Sequence, residues 1–165
     1  GGIPVVVYNV PGRTGKSIEA EDVARMFDEI DLVVALKDAV GDIEYTCAVK
    51  NQCDINILSG DDSLTFPMMA VGGDGVISVA TNAAPDMVSK MVHLLKDGKY
   101  DEARTEHYRM WDLFKTLFVE TNPIPVKAVL EMMGKINGNL RLPMSKIAPA
   151  NKEKLKQVCA GLGLV

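Results

Sequence analysis

Apolar and polar residues along the chain switch between two periods, and the switching divides it into elements. The run IPVVVYN, Ile3 to Asn9, is short and β-branched and is ended by Pro11-Gly12. It reads as a strand with Val6 and Tyr8 on one face and Val5 and Val7 on the other. EAEDVARMFDEI follows, with Val23, Phe27 and Ile30 at helical spacing, a helix opened by Ser17 or Glu19. LVVALKDAVGD, Leu32 to Asp42, carries five apolar residues up to Lys37. A buried parallel strand ends in this way. Alternation places Val33, Ala35 and Lys37 on one face, Val34 and Leu36 on the other.

The pattern then repeats. Ile43 to Asn51 reads as a helix with Cys47 and Ala48 on its inner side, and Ile55 to Ser59 as a strand stopped by Gly60-Asp61-Asp62. The acidic pair and Ser63 start a helix through Met69. Val76 to Val79 forms a fourth strand and Pro85 to Lys96 another amphipathic helix. Strands alternating with helices imply right-handed crossovers and a parallel sheet. Polar residues gather where the strands end: Tyr8-Asn9, Lys37-Asp38, Ser59-Gly60-Asp61 and Ser78. In a β/α barrel that is the face where catalysis occurs. Four such units are half of eight, and a sheet of four parallel strands does not close into a barrel by itself. Its inward residues, expected to be Val6, Val33, Ala35, Ile55, Ile57 and Val79, would then face an absent half-core.

After Gly98 the period is helical throughout. Tyr100 to Glu120 reads as one long helix carrying Trp111, Phe114, Leu117 and Phe118. Asn122-Pro123-Ile124-Pro125 breaks it, and Pro125 suits the first turn of a helix reaching Met133. The segment LRLPMSKIAP leads to a last helix from Asn151 to about Leu162. The expected architecture is α/β: half of a TIM (β/α)8 barrel over residues 1–98, followed by a helical domain over residues 99–165.

Composition narrows the function. A chain of 165 residues, 47% hydrophobic, has enough apolar material for one ordinary core. Its net charge of −4 and pI near 5.2 argue against a nucleic-acid surface. No apolar stretch has the length of a membrane span and no signal peptide opens the chain. Three cysteines read as reduced thiols in an acidic chain point to the cytoplasm. Cys47, Cys53 and Cys159 are an odd number at spacings that match no zinc or redox motif. Neither His93 nor His107 has a ligand-spaced partner, so no metal is expected. The glycines of VGGDGVISV precede a strand instead of joining a strand to a helix, and are read as tight-turn residues, not a nucleotide-binding loop.

Lys37 is the residue that changes the picture. A lysine sharing a face with core residues is costly unless it lies at an opening. Desolvation favours the neutral amine, and a dry pocket is how proteins make lysine a nucleophile for carbonyl substrates. A lysine that caps a strand and reaches out to water would look the same in sequence. Arg13, in YNVPGRTG, leaves the same edge of the sheet; guanidinium is a bidentate partner for a carboxylate, or a surface ion-pair partner. The Tyr8 phenol on the inward face can move protons. Asp61 and Asp62 could serve as acids, but a helix start explains them without chemistry.

Taken in order, YNVPGRTG, ALKDAVGD, LSGDD, GGDGVISV, FVETNPIPVKAVL and LRLPM resemble the dihydrodipicolinate synthase family over essentially the whole chain. The resemblance implies a pyruvate-dependent class I lyase that condenses pyruvate with L-aspartate 4-semialdehyde in lysine biosynthesis and needs no cofactor. It implies an eight-stranded barrel with a C-terminal helical domain and a homotetramer. Lys37 falls on the Schiff-base lysine, Tyr8 on the proton-relaying tyrosine and Arg13 on the arginine that holds the semialdehyde carboxylate. Ile77 and Gly60 fall on residues lining the pyruvate site. The lysine motif departs mildly from the usual GIKE or GIKD, with Ala35 in place of glycine. The resemblance covers only the C-terminal half of such an enzyme, so an isolated chain is expected to be inactive or to need a complementary N-terminal half. Two other readings stay open at this point: an N-acetylneuraminate or keto-deoxy-sugar lyase on the same scaffold, and a non-catalytic half-barrel that assembles with a partner.

Overall fold

The computed structural model describes residues 2–165, which divide into two compact units meeting in sequence at Ser78 and Val79. The first unit is a parallel sheet of β1 (Val5–Asn9), β2 (Val33–Asp38), β3 (Asn56–Ser59) and β4 (Gly75–Val76), in that spatial order. Between the strands run α1 (Pro11–Thr14), α2 (Ala20–Glu29), α3 (Ile43–Lys50) and α4 (Thr65–Ala70), the last preceded by a 3-10 turn over Asp62–Leu64. Strand neighbours in space are neighbours in sequence, as in a barrel wall built by successive crossovers.

The helices cover one face because they carry one apolar stripe each. Val23 of α2, Val49 of α3 and Met68 of α4 meet Val33, Leu36, Ile55 and Ile57 of the sheet side in one buried cluster. Acidic Glu21 and Asp22 in the first turn of α2 complement the helix dipole. Asp42 caps α3 by accepting the Glu44 N–H at 2.9 Å.

Strict alternation fails at one place, and the reason is local. The pairing of β1 with β2 skips Val34: Val5 lies opposite Val33, while Val6 lies opposite Ala35. This bulge turns Val33 to the helix side with Leu36, correcting the expectation that Val33 shares a face with Ala35 and Lys37. Ile55 and Ile57 are also on the helix side and fully buried, not inward. Val6 is 44% exposed on the opposite face.

Two further expectations change in this unit, and the reading of the glycines holds. The fourth strand stops at Val76, since Val79 already has helical dihedrals (φ −82°, ψ −42°) and leads into a 3-10 turn. On α3 the buried residues are Thr46 and Val49, while Cys47 and Ala48 are exposed. The glycines before β4 make a tight turn: Gly72 has φ +106°, and a Cβ on Gly73 would lie 2.9 Å from the Met68 carbonyl oxygen.

The second unit is helical: α5 (Pro85–Lys96), α6 (Tyr100–Arg109), α7 (Trp111–Thr116), α8 (Ile124–Met132) and α9 (Pro149–Gly161). The single helix expected over Tyr100–Glu120 is two. They meet at buried Met110 (φ −93°, ψ 0°), whose N–H is shared between the Glu106 and His107 carbonyls at 3.2 Å each. Within this unit α5 packs on α6, and both α7 and α8 pack on α9. Among the described residues no helix is long and apolar enough to cross a membrane, and no cluster of three or more His, Cys, Asp or Glu could hold a metal ion.

The bulge makes a testable distinction along β2. Leu36→Ala should cost about 2–5 kcal/mol of stability, as buried leucines do. Val34→Ala, at a position 37% exposed, should stay within about 0.5 kcal/mol. Comparable losses for the two variants in urea unfolding would contradict this assignment of faces.

Candidate active site

The pleat at the ends of the strands sorts polar residues into two rows. Tyr8, Lys37 and Leu58 lie opposite one another in register, followed by Asn9, Asp38 and Ser59. Neighbouring rows point to opposite faces of the sheet. Asn9, Asp38 and Ser59 point to the helix side and are each 1% exposed. Tyr8 and Lys37 point the other way, where Tyr8 is 47% exposed and Lys37 half-buried.

The Lys37 Nζ stands over the Tyr8 ring, 4.1 Å from its centroid. That is cation–π distance, and it presents the amine to the open side of the sheet. Among the described residues no hydrogen bond or ion pair engages this nitrogen. Its neighbour in sequence, Asp38, faces away through the sheet and is held there. The Asp38 Oδ1 accepts the Val40 N–H at 3.0 Å and Oδ2 accepts the Thr46 hydroxyl at 2.7 Å. Burial pushes the Asp38 carboxyl above its ordinary range, and the Val40 and Thr46 hydrogen bonds work against that rise.

Gly60 lies against the lysine stem. A Cβ there would come within 2.6 Å of the Ala39 Cβ and 3.2 Å of the Lys37 Cε, so a side chain larger than hydrogen does not fit. The Gly60 N–H donates to the Asp38 carbonyl at 2.6 Å, tying β3 to the end of β2. Ile77 follows β4 and donates its N–H to the Ser59 carbonyl at 2.9 Å; it is 41% exposed. Arg13 lies on α1, whose proline-initiated turn closes on left-handed Gly15 (φ +75°). Its side chain is exposed, and no hydrogen bond or ion pair joins it to another described residue. The fold therefore sets Lys37 beside both Tyr8 and Gly60, places Ile77 just past β4 and leaves Arg13 apart on the turn leaving β1.

Asn9, Tyr45 and Thr46 were not singled out from the sequence. The available signal was the polar doublet at each strand end. Its inward member faces the open side and its outward member must find partners among the helices, because a buried polar group left unpaired costs about 1–3 kcal/mol.

Comparison with known proteins follows from this geometry. The profile of the dihydrodipicolinate synthetase family matches residues 1–161. The 4-hydroxy-tetrahydrodipicolinate synthase of Persephonella marina is 46% identical over 166 residues, covering 99% of this chain and 57% of the relative. The enzyme of the same name from Methanococcus maripaludis (strain DSM 14266) is 44% identical over 163 residues, with 99% and 56% covered. Among solved structures, dihydrodipicolinate synthase from Thermotoga maritima superposes with a TM-score of 0.98 at 39% identity, covering all of this chain and 58% of that one. The Aquifex aeolicus structure gives 0.96 at 39% identity, with 98% and 56% covered. The chain spans a little over half the length of the relatives it matches.

Gly60→Ala tests the packing behind the lysine. Overpacking of this kind costs about 1–3 kcal/mol and should shift the Lys37 stem off the Tyr8 ring. A crystal structure of the variant with Lys37 unmoved, together with unaltered unfolding, would show that the site tolerates the methyl group.

Proposed function

The chain belongs to the dihydrodipicolinate synthetase family, and from that premise we propose that its Lys37 face carries the amine chemistry of a pyruvate-dependent synthase. The substrates we assign are pyruvate and L-aspartate 4-semialdehyde, the reaction is that of 4-hydroxy-tetrahydrodipicolinate synthase in lysine biosynthesis, and no cofactor takes part. The observation that carries the reading is the position of the Lys37 amine: it stands over the Tyr8 ring with no carboxylate partner among the described residues, while the adjacent acid is held behind the sheet. The nitrogen lies on the open side of the sheet, where a carbonyl substrate could approach it.

In the proposed reaction neutral Lys37 adds to the ketone carbon of pyruvate, and water leaves as the C=N bond of an iminium forms. The iminium draws electrons from the methyl group, which gives up a proton and becomes the nucleophilic carbon of an enamine. That carbon bonds to the aldehyde carbon of the second substrate, and the aldehyde oxygen takes up a proton. The substrate's own amine then adds to the iminium carbon, and Lys37 leaves as the ring closes. Tyr8 is the group we assign to relaying the protons, since its ring already contacts the lysine. Arg13 is assigned to the semialdehyde carboxylate: it is exposed, with no ion-pair partner among the described residues, on a turn that leaves the strand of Tyr8. Gly60 and Ile77 are assigned to the pyruvate side, Gly60 by leaving room for the lysine stem. A homotetramer, and a division into residues 1–98 and 99–165, belong to the same proposal.

In a complete enzyme containing this chain, pyruvate with borohydride should leave one reduced adduct, on Lys37. Peptide mapping that placed it on Lys16, Lys50 or Lys127 would refute the assignment. Arg13→Ala should preserve that adduct yet weaken use of the semialdehyde by about ten- to a hundredfold, the worth of a charge-assisted bidentate contact. Unchanged steady-state kinetics for the aldehyde substrate would make Arg13 a surface residue only.

A further inference from the structure

The side chain of Asn9 does more than fill the helix side of the sheet. It is 1% exposed and lies within hydrogen-bond distance of four groups where the chain leaves β1, with two N–H groups shared among three acceptors. Its Oδ1 accepts the Ile18 N–H at 3.1 Å, while its Nδ2 faces the Ile18 carbonyl at 3.0 Å, the Tyr45 hydroxyl at 2.8 Å and the Ser17 hydroxyl at 3.2 Å. The bond from a backbone N–H settles which end of the amide is oxygen, because an N–H can only donate. The amide thus pairs with both polar groups of one peptide residue, Ile18, and closes residues 10–17 into a loop whose two ends are held together.

Inside that loop sits α1 with Arg13. The loop has further internal ties: the Arg13 N–H donates to the Val10 carbonyl at 2.8 Å, Gly15 N–H to the Pro11 carbonyl at 2.9 Å, and the Thr14 hydroxyl to the Lys16 carbonyl at 2.8 Å. These fix the shape of the turn but do not attach it to the sheet. The attachment on the return side is Asn9, and through Tyr45 it reaches α3, the helix that follows the Lys37 strand. The Asn9 backbone carbonyl also accepts the Ala39 N–H at 2.9 Å, two residues past the lysine. One residue therefore ties the Arg13 loop, the end of β2 and α3 together.

We propose that Asn9 is a positioning residue for the second substrate, a clasp that holds the Arg13 loop at a fixed height over the end of the sheet through the Asn9–Ile18 pair and the Tyr45 hydroxyl. This rests on the assignment of Lys37 and Arg13 made above. An amide is required because the clasp needs a donor and an acceptor on one planar group. Aspartate keeps the shape and the acceptor but loses the donor to Ile18 and Tyr45.

The test separates the clasp from the chemistry, using Asn9→Asp and Tyr45→Phe in a complete enzyme containing this chain. Both variants should still give the borohydride adduct on Lys37. Asn9→Asp should raise KM for the semialdehyde about tenfold or more with kcat little changed, the scale expected when a positioning contact is lost. Tyr45→Phe, which keeps the ring and removes one acceptor, should raise it severalfold in the same direction and decides the matter if the aspartate variant does not fold. In an Arg13→Ala background neither change should add more than about twofold, because coupled residues do not act independently. An unaltered KM in the folded variants, or a full additional loss in the Arg13→Ala background, would overturn the proposal. Hydrogen exchange reads the clasp without substrate: Asn9→Asp should speed exchange at the amides of Ile18 and of Arg13 to Gly15, and unchanged protection there would refute it. Absence of a Lys37 adduct in the unaltered enzyme is a different failure, that of the proposed reaction, and exchange would still decide whether Asn9 holds the loop.

Discussion

The end of β2 hangs on a carboxylate that has nothing to do with the open face. Asp38 is buried behind the sheet, where the Thr46 hydroxyl and the Val40 N–H meet its two oxygens. Without those partners its burial would be prohibitive; with them it pins the last residue of the strand to α3 and to the loop beyond. Because side chains alternate, pinning Asp38 on one side orients Lys37 on the other. The Gly60 N–H, bound to the Asp38 carbonyl, brings β3 against the same point. The position of the amine is thus a consequence of how its neighbour is satisfied.

The same arrangement recurs one strand over. Tyr8 faces the open side and Asn9 the helices, where it collects its partners from the Ser17–Ile18 segment and from Tyr45. Tyr45 and Thr46 are consecutive on α3, so one helix receives the anchors of both strands. Burial and proximity to Asp38, Glu19 and Asp22 raise the Tyr45 phenol above its ordinary range, against the Asn9 hydrogen bond, so it stays protonated and able to accept from the amide. The polar material at the strand ends is divided between holding the frame and facing the open side of the sheet. Neither set could be moved without disturbing the other.

In the helical unit a comparable bargain is struck around Glu106, buried on α6 and ion-paired with Lys90 of α5 and with Arg109 at 3.7 Å. The carboxylate is buried while both cations are more than half exposed, so the ion pairs reach solvent on one side only. Next to it, His107 packs among Tyr108, Trp111 and Phe114. Burial lowers the His107 pKa below its ordinary value, so the unfolded chain takes up a proton first as pH falls. Its contribution to stability is present above about pH 6.5 and is lost on acidification toward the lower folded value.

What the sequence determined by itself were the features carried by local period and by chain terminators. The alternation of strand and helix, the glycine- and proline-marked ends, and a lysine at the last turn of a buried apolar run are all properties of adjacent residues, and so is the family membership borne by short motifs such as YNVPGRTG and LSGDD. Only the tertiary structure decided matters that depend on pairing between distant segments. The bulge at Val34 is a feature of the pairing between β1 and β2, and with it Val33 falls on the helix side. Thr46 goes inward, where hydropathy would leave it out, because Asp38 needs a donor there. The helix breaks at Met110 and the fourth strand ends at Val76 with no glycine or proline following either point to mark it in sequence. The contact of Lys37 with Tyr8 needs the register between two strands twenty-nine positions apart, which no local pattern encodes.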